Sequence, residues 1–263
     1  MNLNHTRSGR GKPLLLVHGL GGSIRSWDTI ADTLAQCREV ILIDLPGHGQ
    51  TPEEADSGTF DGLARSLDEW LEAEHLAEVD MVGSSLGGRL VLEMVRRGSA
   101  GATVALDPGG FWQGWERTFF KTTITASIAL VRALKPALPA LTGNAAGRTA
   151  LMLQLSAKPW ALDHAVVLQE LHSFARTDTF ISLVNDLAKG LMQKGVANTA
   201  SPVVIGWGRK DRLCLPRQAN RAKAAFPDAT MHWFEESGHF PMWDKPSEIV
   251  RVILDATGSP GSA

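Results

Sequence analysis

The sequence predicts an α/β fold: a mostly parallel, doubly wound sheet interrupted by an all-helical insertion. Three observations predict it. Short apolar runs, rich in β-branched residues or leucine, recur along the 263 residues. Helical apolar patterns lie between several of them. The alternation then stops between residues 109 and 197, where no strand pattern is found.

The runs fall at residues 14–17, 40–45, 79–82, 103–106, 202–205 and 230–234. The first five are nearly continuous in apolar character, as strands buried on both faces of a parallel sheet must be. After the second run, Phe60, Leu63, Ala64, Leu67, Trp70 and Leu71 recur at helical spacing, with Asp68, Glu69 and Glu72 elsewhere on the turn. After the third, Leu86, Leu90, Val91, Met94 and Val95 repeat that period, and Gly98 supplies a stop. Such alternation builds βαβ units. The insertion reads as helices over 115–134, 146–155, 162–175 and 177–191, punctuated by Pro136, Pro139, Gly143 and Pro159. The sheet pattern resumes at Ser201-Pro202. We therefore divide the chain into a core (1–108 and 198–263) and a helical cap or lid (109–197). Such a lid belongs over the carboxyl edge of the sheet, where open α/β sheets bind ligands. Residues before Leu14 leave room for one edge strand, and residues 258–263 read as a disordered tail.

Composition excludes several function classes. The net charge is −2 and no Lys/Arg-rich block occurs, which argues against nucleic acid or an anionic membrane as partner. No window reaches the roughly 18 uninterrupted apolar residues of a membrane span, and residues 1–12 lack an apolar signal core. Cys37 and Cys214 are far apart, without CxxC spacing or nearby His pairs. They predict neither a disulfide framework nor a zinc site, but two free thiols in a reducing cytoplasm. Tyr is absent, which removes phenol as an acid, base or oxyanion donor.

The chemistry is carried by Gly83-Ser84-Ser85-Leu86-Gly87, a G-x-S-x-G pattern. Alone it is a common string. Here a buried-strand pattern precedes it and a helix follows it. A sharp strand-to-helix turn needs small residues on either side of the serine, and the serine then stands at a helix N-terminus, where developing negative charge is favoured. A serine nucleophile needs a base and a group that orients the base. His239, in Ser237-Gly238-His239-Phe240-Pro241, follows the last strand pattern. Asp211 follows the strand at 202–205. The chain order is Ser, Asp, His, as the nucleophile-elbow arrangement requires. Asp107, in Ala105-Leu106-Asp107-Pro108, is the one competitor to Asp211 as the acid. Acyl transfer also needs two oxyanion donors. The backbone amide of Leu86 is one, and the loop His18–Gly22 offers the other, with Leu20 first and Gly21 second. The remaining histidines carry ordinary readings. His18 braces its loop, His48 is a turn residue, His232 lies within the last strand, and His75, His164 and His172 lie in helical segments without a motif.

These residues resemble the α/β-hydrolase superfamily, and more closely its small, capped bacterial serine hydrolases: carboxylesterases and carbon–carbon bond hydrolases of meta-cleavage pathways. The matching segments are His18-Gly19-Leu20-Gly21-Gly22, Asp44-Leu45-Pro46-Gly47-His48-Gly49, Gly83-Ser84-Ser85-Leu86-Gly87-Gly88, Asp211 and Gly238-His239-Phe240-Pro241. The resemblance implies an α/β-hydrolase fold, a Ser85–His239–Asp211 triad and hydrolysis of a small-molecule ester or related acyl substrate. Two features depart from many relatives. Ser84 stands where they carry His or Asn, and the short N-terminus implies that the family's first strand is missing. Ser85 in place of Asp argues against the dehalogenase and epoxide-hydrolase branches.

The insertion is rich in aromatic residues: Phe111, Trp112, Trp115, Phe119, Phe120, Trp160 and Phe174. Most are expected to pack helices. Trp112 and Trp115 are expected to line an apolar pocket, with Trp27 approaching from below and Gly21 at the substrate. No metal or organic cofactor is implied, since the triad supplies nucleophile, base and charge stabilisation. Carbon–carbon hydrolysis of a dienone acid would need a cation, for which Arg89 or Arg117 is placed. Thioester or lactone cleavage also fits the triad, and a non-catalytic, hydrolase-like ligand receptor would keep the same residues. A monomer or homodimer is expected.

Overall fold

A computed structural model describes residues 2–258, so all but Gly258 of the expected tail lies outside the described residues. The strands are β1 (His5–Ser8), β2 (Pro13–Val17), β3 (Glu39–Ile43), β4 (Asp80–Ser84), β5 (Thr103–Leu106), β6 (Val203–Gly208) and β7 (Thr230–Phe234). They form one sheet in the order β1-β3-β2-β4-β5-β6-β7. The first is the edge strand for which the N-terminus had room, and it runs antiparallel to β3. Every other neighbouring pair is parallel.

The helices of the first half are α1 (Ala31–Leu34), α2 (Phe60–Ala73) and α3 (Leu86–Arg97). Between β5 and β6 lie α4 (Trp115–Ala133), α5 (Leu138–Thr142), α6 (Ala145–Met152), α7 (His164–Arg176) and α8 (Phe180–Lys189), with no strand among the described residues. After β6 come α9 (Ala219–Ala225), α10 (Pro241–Asp244) and α11 (Pro246–Ala256). Among the described residues, no single helix is long and apolar enough to cross a membrane. Both cysteines are free thiols.

Local chemistry explains the boundaries. Thr59 caps α2 by accepting the Gly62 amide, and Gly98 ends α3 in the left-handed conformation at φ 81°. The 40–45 run leaves the ladder after Ile43, where Asp44 ties together the loops after β2 and β3: its carboxylate accepts the amides of Ile24 and Gln50. Past its expected end, β6 continues through Gly206, Trp207 and Gly208. Glycine is a poor strand signal, but a Cβ on Gly206 would lie 2.7 Å from the Phe234 ring, so packing requires it there. Short α5 departs from the sequence pattern, because a proline in its first turn reads as a breaker yet starts the helix.

The sheet order places the site. The chain leaves β2 for β3 on one side and returns to β4 on the other. The crevice at the carboxyl ends of β2 and β4 is thus a topological switch point, where ligands bind in open α/β sheets. The loops holding Leu20 and Ser85 start there.

Candidate active site

Ser85 stands at the turn between β4 and α3 with φ 56° and ψ −111°. A non-glycine residue held there stores roughly 1–3 kcal/mol of backbone strain, which the surroundings impose. Its amide bonds the Leu106 carbonyl at 2.9 Å, and its carbonyl accepts the amides of Arg89 at 3.0 Å and Gly109 at 3.1 Å. The flanking glycines are required by contact. A Cβ on Gly83 would lie 2.2 Å from the Gly87 carbonyl oxygen, and one on Gly87 would lie 2.1 Å from that of Val17. The first turn of α3 therefore sits directly against the end of β2, which brings the His18–Gly22 loop beside the serine. Gly19 lies close enough that a Cβ would come within 3.2 Å of that of Ser85.

His239 follows β7 and is fully buried. Its Nδ1 lies 2.8 Å from Asp211 Oδ2. The other carboxylate oxygen of Asp211 accepts the amides of Leu213 at 2.7 Å and Cys214 at 3.0 Å. An ionised carboxylate only accepts, so Nδ1 carries the proton and Nε2 presents its lone pair. Among the described residues, the buried Nε2 has no partner, and His239 and Ser85 line the same cavity. Leu20 and Leu86 line it too, and among the described residues no acceptor engages either of their amides.

Asp107 follows β5 in a left-handed conformation, φ 43°. Its Oδ1 accepts the Gly208 amide at 2.8 Å, and among the described residues its Oδ2 meets no donor. Burial and the neighbouring Asp211 charge push its carboxyl well above the usual range. Two carboxylates so placed cannot both ionise cheaply, and three donors meet Asp211 against one for Asp107. Donor atoms of Asp211, Cys214 and His239 lie within 4.8 Å of one another. Burial pushes the Cys214 thiol up, however, and the other two already bond each other, so this donor set suits a proton relay better than a metal.

His18 is occupied on both ring nitrogens: Nδ1 lies 2.7 Å from the Gly19 carbonyl, and Nε2 accepts the Leu45 amide at 3.1 Å. Burial lowers its pKa and keeps it neutral. His48, buried beside it, is driven down to about 3 by burial and the His18 ring.

The cavity spans about 810 Å³, mouth included, between the sheet edge and the helical segment. Its wall on the helical segment is mostly apolar, with Phe120, Ile124 and Ile128 from α4, Leu171 and Phe174 from α7, and Phe180 from α8; Ser127 and Gln154 are its polar members. Trp112 lines it as expected, stacked on Phe120 with ring centroids 4.3 Å apart. Three expectations need correction. Trp115 is 58% exposed, under the Arg217 guanidinium, and does not line the cavity; it starts α4 on the face opposite the buried stripe. Trp27 is buried in the core, likewise away from the cavity. Gly21 is also absent from the wall: its left-handed backbone (φ 76°) packs under Phe174 and Phe180. Arg89 does reach the wall, but its Nε bonds Gln193 and its Nη2 the Leu191 carbonyl. Arg117 does not reach it. Sequence reasoning misses Ile124, Ile128 and Leu171 as wall residues, because an apolar helix stripe facing a cavity looks like one facing a core.

The model of the alpha/beta hydrolase family matches residues 14–252, nearly the whole chain. The chain belongs to the alpha/beta hydrolase family. An uncharacterized protein of Mycobacterium tuberculosis is 28% identical over 94% of this chain and 75% of its own. A 2-hydroxy-6-oxononadienedioate/2-hydroxy-6-oxononatrienedioate hydrolase of Dechloromonas aromatica is 24% identical over 97% of this chain and 90% of its own. Among solved structures, the esterase of Exiguobacterium antarcticum superposes with a TM-score of 0.77 at 18% identity, covering 98% of this chain and 96% of that one. That likeness establishes the fold alone.

Proposed function

We propose that this alpha/beta hydrolase is a serine hydrolase that cleaves carboxylic esters through an acyl-enzyme. The observation that carries the proposal is the His239–Asp211 pair, bonded at 2.8 Å, with Nε2 free in the cavity that Ser85 lines. His239, held in the Nδ1–H form by Asp211, takes the proton of Ser85. Ser85 attacks the ester carbonyl, and the oxyanion forms between the Leu20 and Leu86 amides. His239 then protonates the leaving alcohol, and water cleaves the acyl-enzyme by the same route. The helical segment acts as the cap, and its apolar wall favours an alkyl or aryl group on the substrate.

The cavity also favours esters over the dienone acids of carbon–carbon hydrolysis. The relative's substrates are named as dioates, and two carboxylates call for two cationic partners. Among the described residues, Arg89 is the one Lys or Arg on this wall, and two of its nitrogens are already bonded to residues 191 and 193. The test is Ser85→Ala assayed with p-nitrophenyl butyrate, together with a fluorophosphonate probe on the parent protein. Covalent labelling at Ser85 and loss of turnover in the variant are expected. Wild-type turnover in the variant would defeat the triad, and labelling without turnover on esters, thioesters or lactones would favour a receptor.

A further inference from the structure

The helical segment hydrogen-bonds the oxyanion loop from α7 and its C-terminal cap, beside the Phe180 ring of α8 that packs on Gly21. Ser173 Oγ donates to the Gly21 carbonyl at 2.8 Å, and Thr177 Oγ1 approaches the same oxygen at 3.4 Å. One turn before Ser173, the Glu170 carboxyl meets the Ser26 hydroxyl through both oxygens, at 2.8 and 3.0 Å. Ser26 belongs to the 3-10 turn Ile24–Trp27, directly after the loop. Its oxygen also accepts the Ser23 amide at 3.1 Å, which fixes the turn to the loop's end. Gly22 allows the approach: a Cβ there would lie 2.7 Å from Ser26 Oγ and 3.3 Å from Glu170 Oε1.

Glu170 is 2% exposed. Buried carboxylates are ordinarily paired with a cation, but among the described residues Glu170 makes no salt bridge. Asp28, at the end of the 3-10 turn and paired with exposed Arg25, is the charged group whose field reaches it, and its sign is the same. Of the other helices packed against α7, α4 sends Arg132 to the Ala175 and Thr177 carbonyls at the far end of α7, and among the described residues neither α4 nor α5 places a salt-bridge partner at Glu170.

We propose that Glu170 is a positioning residue: its carboxyl bonds Ser26 across the seam, and through it α7 sets the oxyanion loop that presents the Leu20 amide. This role presupposes the acyl-transfer mechanism above. Burial pushes the Glu170 carboxyl up to about 8, so it is neutral at pH 7. Above that value a charge would form with one hydroxyl as its donor and Asp28 nearby. The seam would loosen and the loop would lose its register.

The experiment is kcat/KM for p-nitrophenyl butyrate between about pH 6 and 10, corrected for spontaneous hydrolysis, in wild type, Glu170→Gln and Glu170→Leu. Glutamine keeps a neutral donor and acceptor. It is expected to hold activity within about threefold at pH 7 and to lack the alkaline fall, near pH 8, that the wild type shows. Leucine removes both bonds. It is expected to lower kcat about ten- to a hundredfold with little change in KM, since a displaced oxyanion donor acts on the transition state. A Glu170→Gln profile that keeps the wild-type alkaline fall, or a wild-type profile without one, overturns the proposal. So does a folded Glu170→Leu protein with wild-type kcat. Should leucine prevent folding, the glutamine profile decides alone. Ser85→Ala, run alongside, separates the two levels: turnover without Ser85 defeats the hydrolase mechanism, whereas Ser85-dependent turnover with identical wild-type and Glu170→Gln profiles defeats only the role of Glu170.

Discussion

Replacing Asp211 with asparagine tests the acid against its neighbour Asp107. Asparagine has one carbonyl oxygen, for which the Leu213 and Cys214 amides, sharing one carboxylate oxygen at 2.7 and 3.0 Å, compete with His239. If the oxygen stays with them, the side-chain NH2 faces His239 and donates to Nδ1. The ring must then carry its proton on Nε2, and no lone pair remains for the Ser85 proton. If the side chain turns over, His239 recovers its tautomer but two buried amides lose their acceptor. At roughly 1–3 kcal/mol for each unsatisfied buried group, that reversal costs about 2–6 kcal/mol. At about 1.4 kcal/mol per decade, the loss in kcat is between about 30-fold and 10⁴-fold. Asp107→Asn is different in kind. Its Oδ1 keeps the Gly208 amide, and a carboxyl whose ionisation burial and the Asp211 charge already oppose is exchanged for a neutral amide. Less than about a tenfold loss is expected there. Steady-state hydrolysis of p-nitrophenyl butyrate near pH 7.5, with thermal melting to show that both variants fold, measures the difference. A folded Asp211→Asn enzyme within tenfold of wild type would refute the assignment, as would an equal loss in Asp107→Asn.

Three further outcomes are expected. Ile128→Trp places an indole on the cavity wall about 12 Å along α4 from Phe120; octanoate ester turnover should fall at least about tenfold while acetate stays within about threefold, and an unchanged chain-length profile would remove the cavity from the substrate path. Gly21→Ala should lower kcat by at least about a hundredfold, because the new Cβ would lie 2.6 Å from the Phe180 ring at a φ of 76°; a folded, fully active alanine variant would show that the loop tolerates displacement. Stability of Glu170→Gln relative to wild type should rise with pH. The folded carboxyl sits at about 8, above its unfolded value, so its contribution is present in acid and lost as pH rises to about 8. The difference should grow by up to about 1.4 kcal/mol per pH unit between about 5 and 8 and then level off; urea unfolding at three pH values would expose parallel curves if Glu170 titrates normally.

The elements that the sequence made legible share a physical cause. Strands buried on both faces need continuous apolar runs, and β2, β4 and β5 are such strands. The elbow needs small residues around Ser85, because backbone atoms of β2 and α3 touch there. Asp211 and His239 were visible because chain order and strand ends restrict where an acid and a base can stand. Other features left little local trace. The apolar stripe of α4 looks the same whether it faces a core or a cavity, so the sequence pointed to Trp115 as a pocket residue and not to Ile128. Gly206 and Gly208 weakened a strand pattern that Phe234 and the loop around Gly238 demand. Glu170, read along the chain, was one acid on an amphipathic helix.

By itself, then, the sequence determined the sheet, the elbow and the order of Ser85, Asp211 and His239, because those depend on backbone geometry that a few neighbouring residues enforce. Only the tertiary structure decided which of two buried acids bonds His239, which helix faces wall the cavity, and that Glu170 meets Ser26 across 144 positions of chain. Those depend on desolvation and on partners distant in sequence, and burial by a remote element leaves no local pattern in the residues it buries.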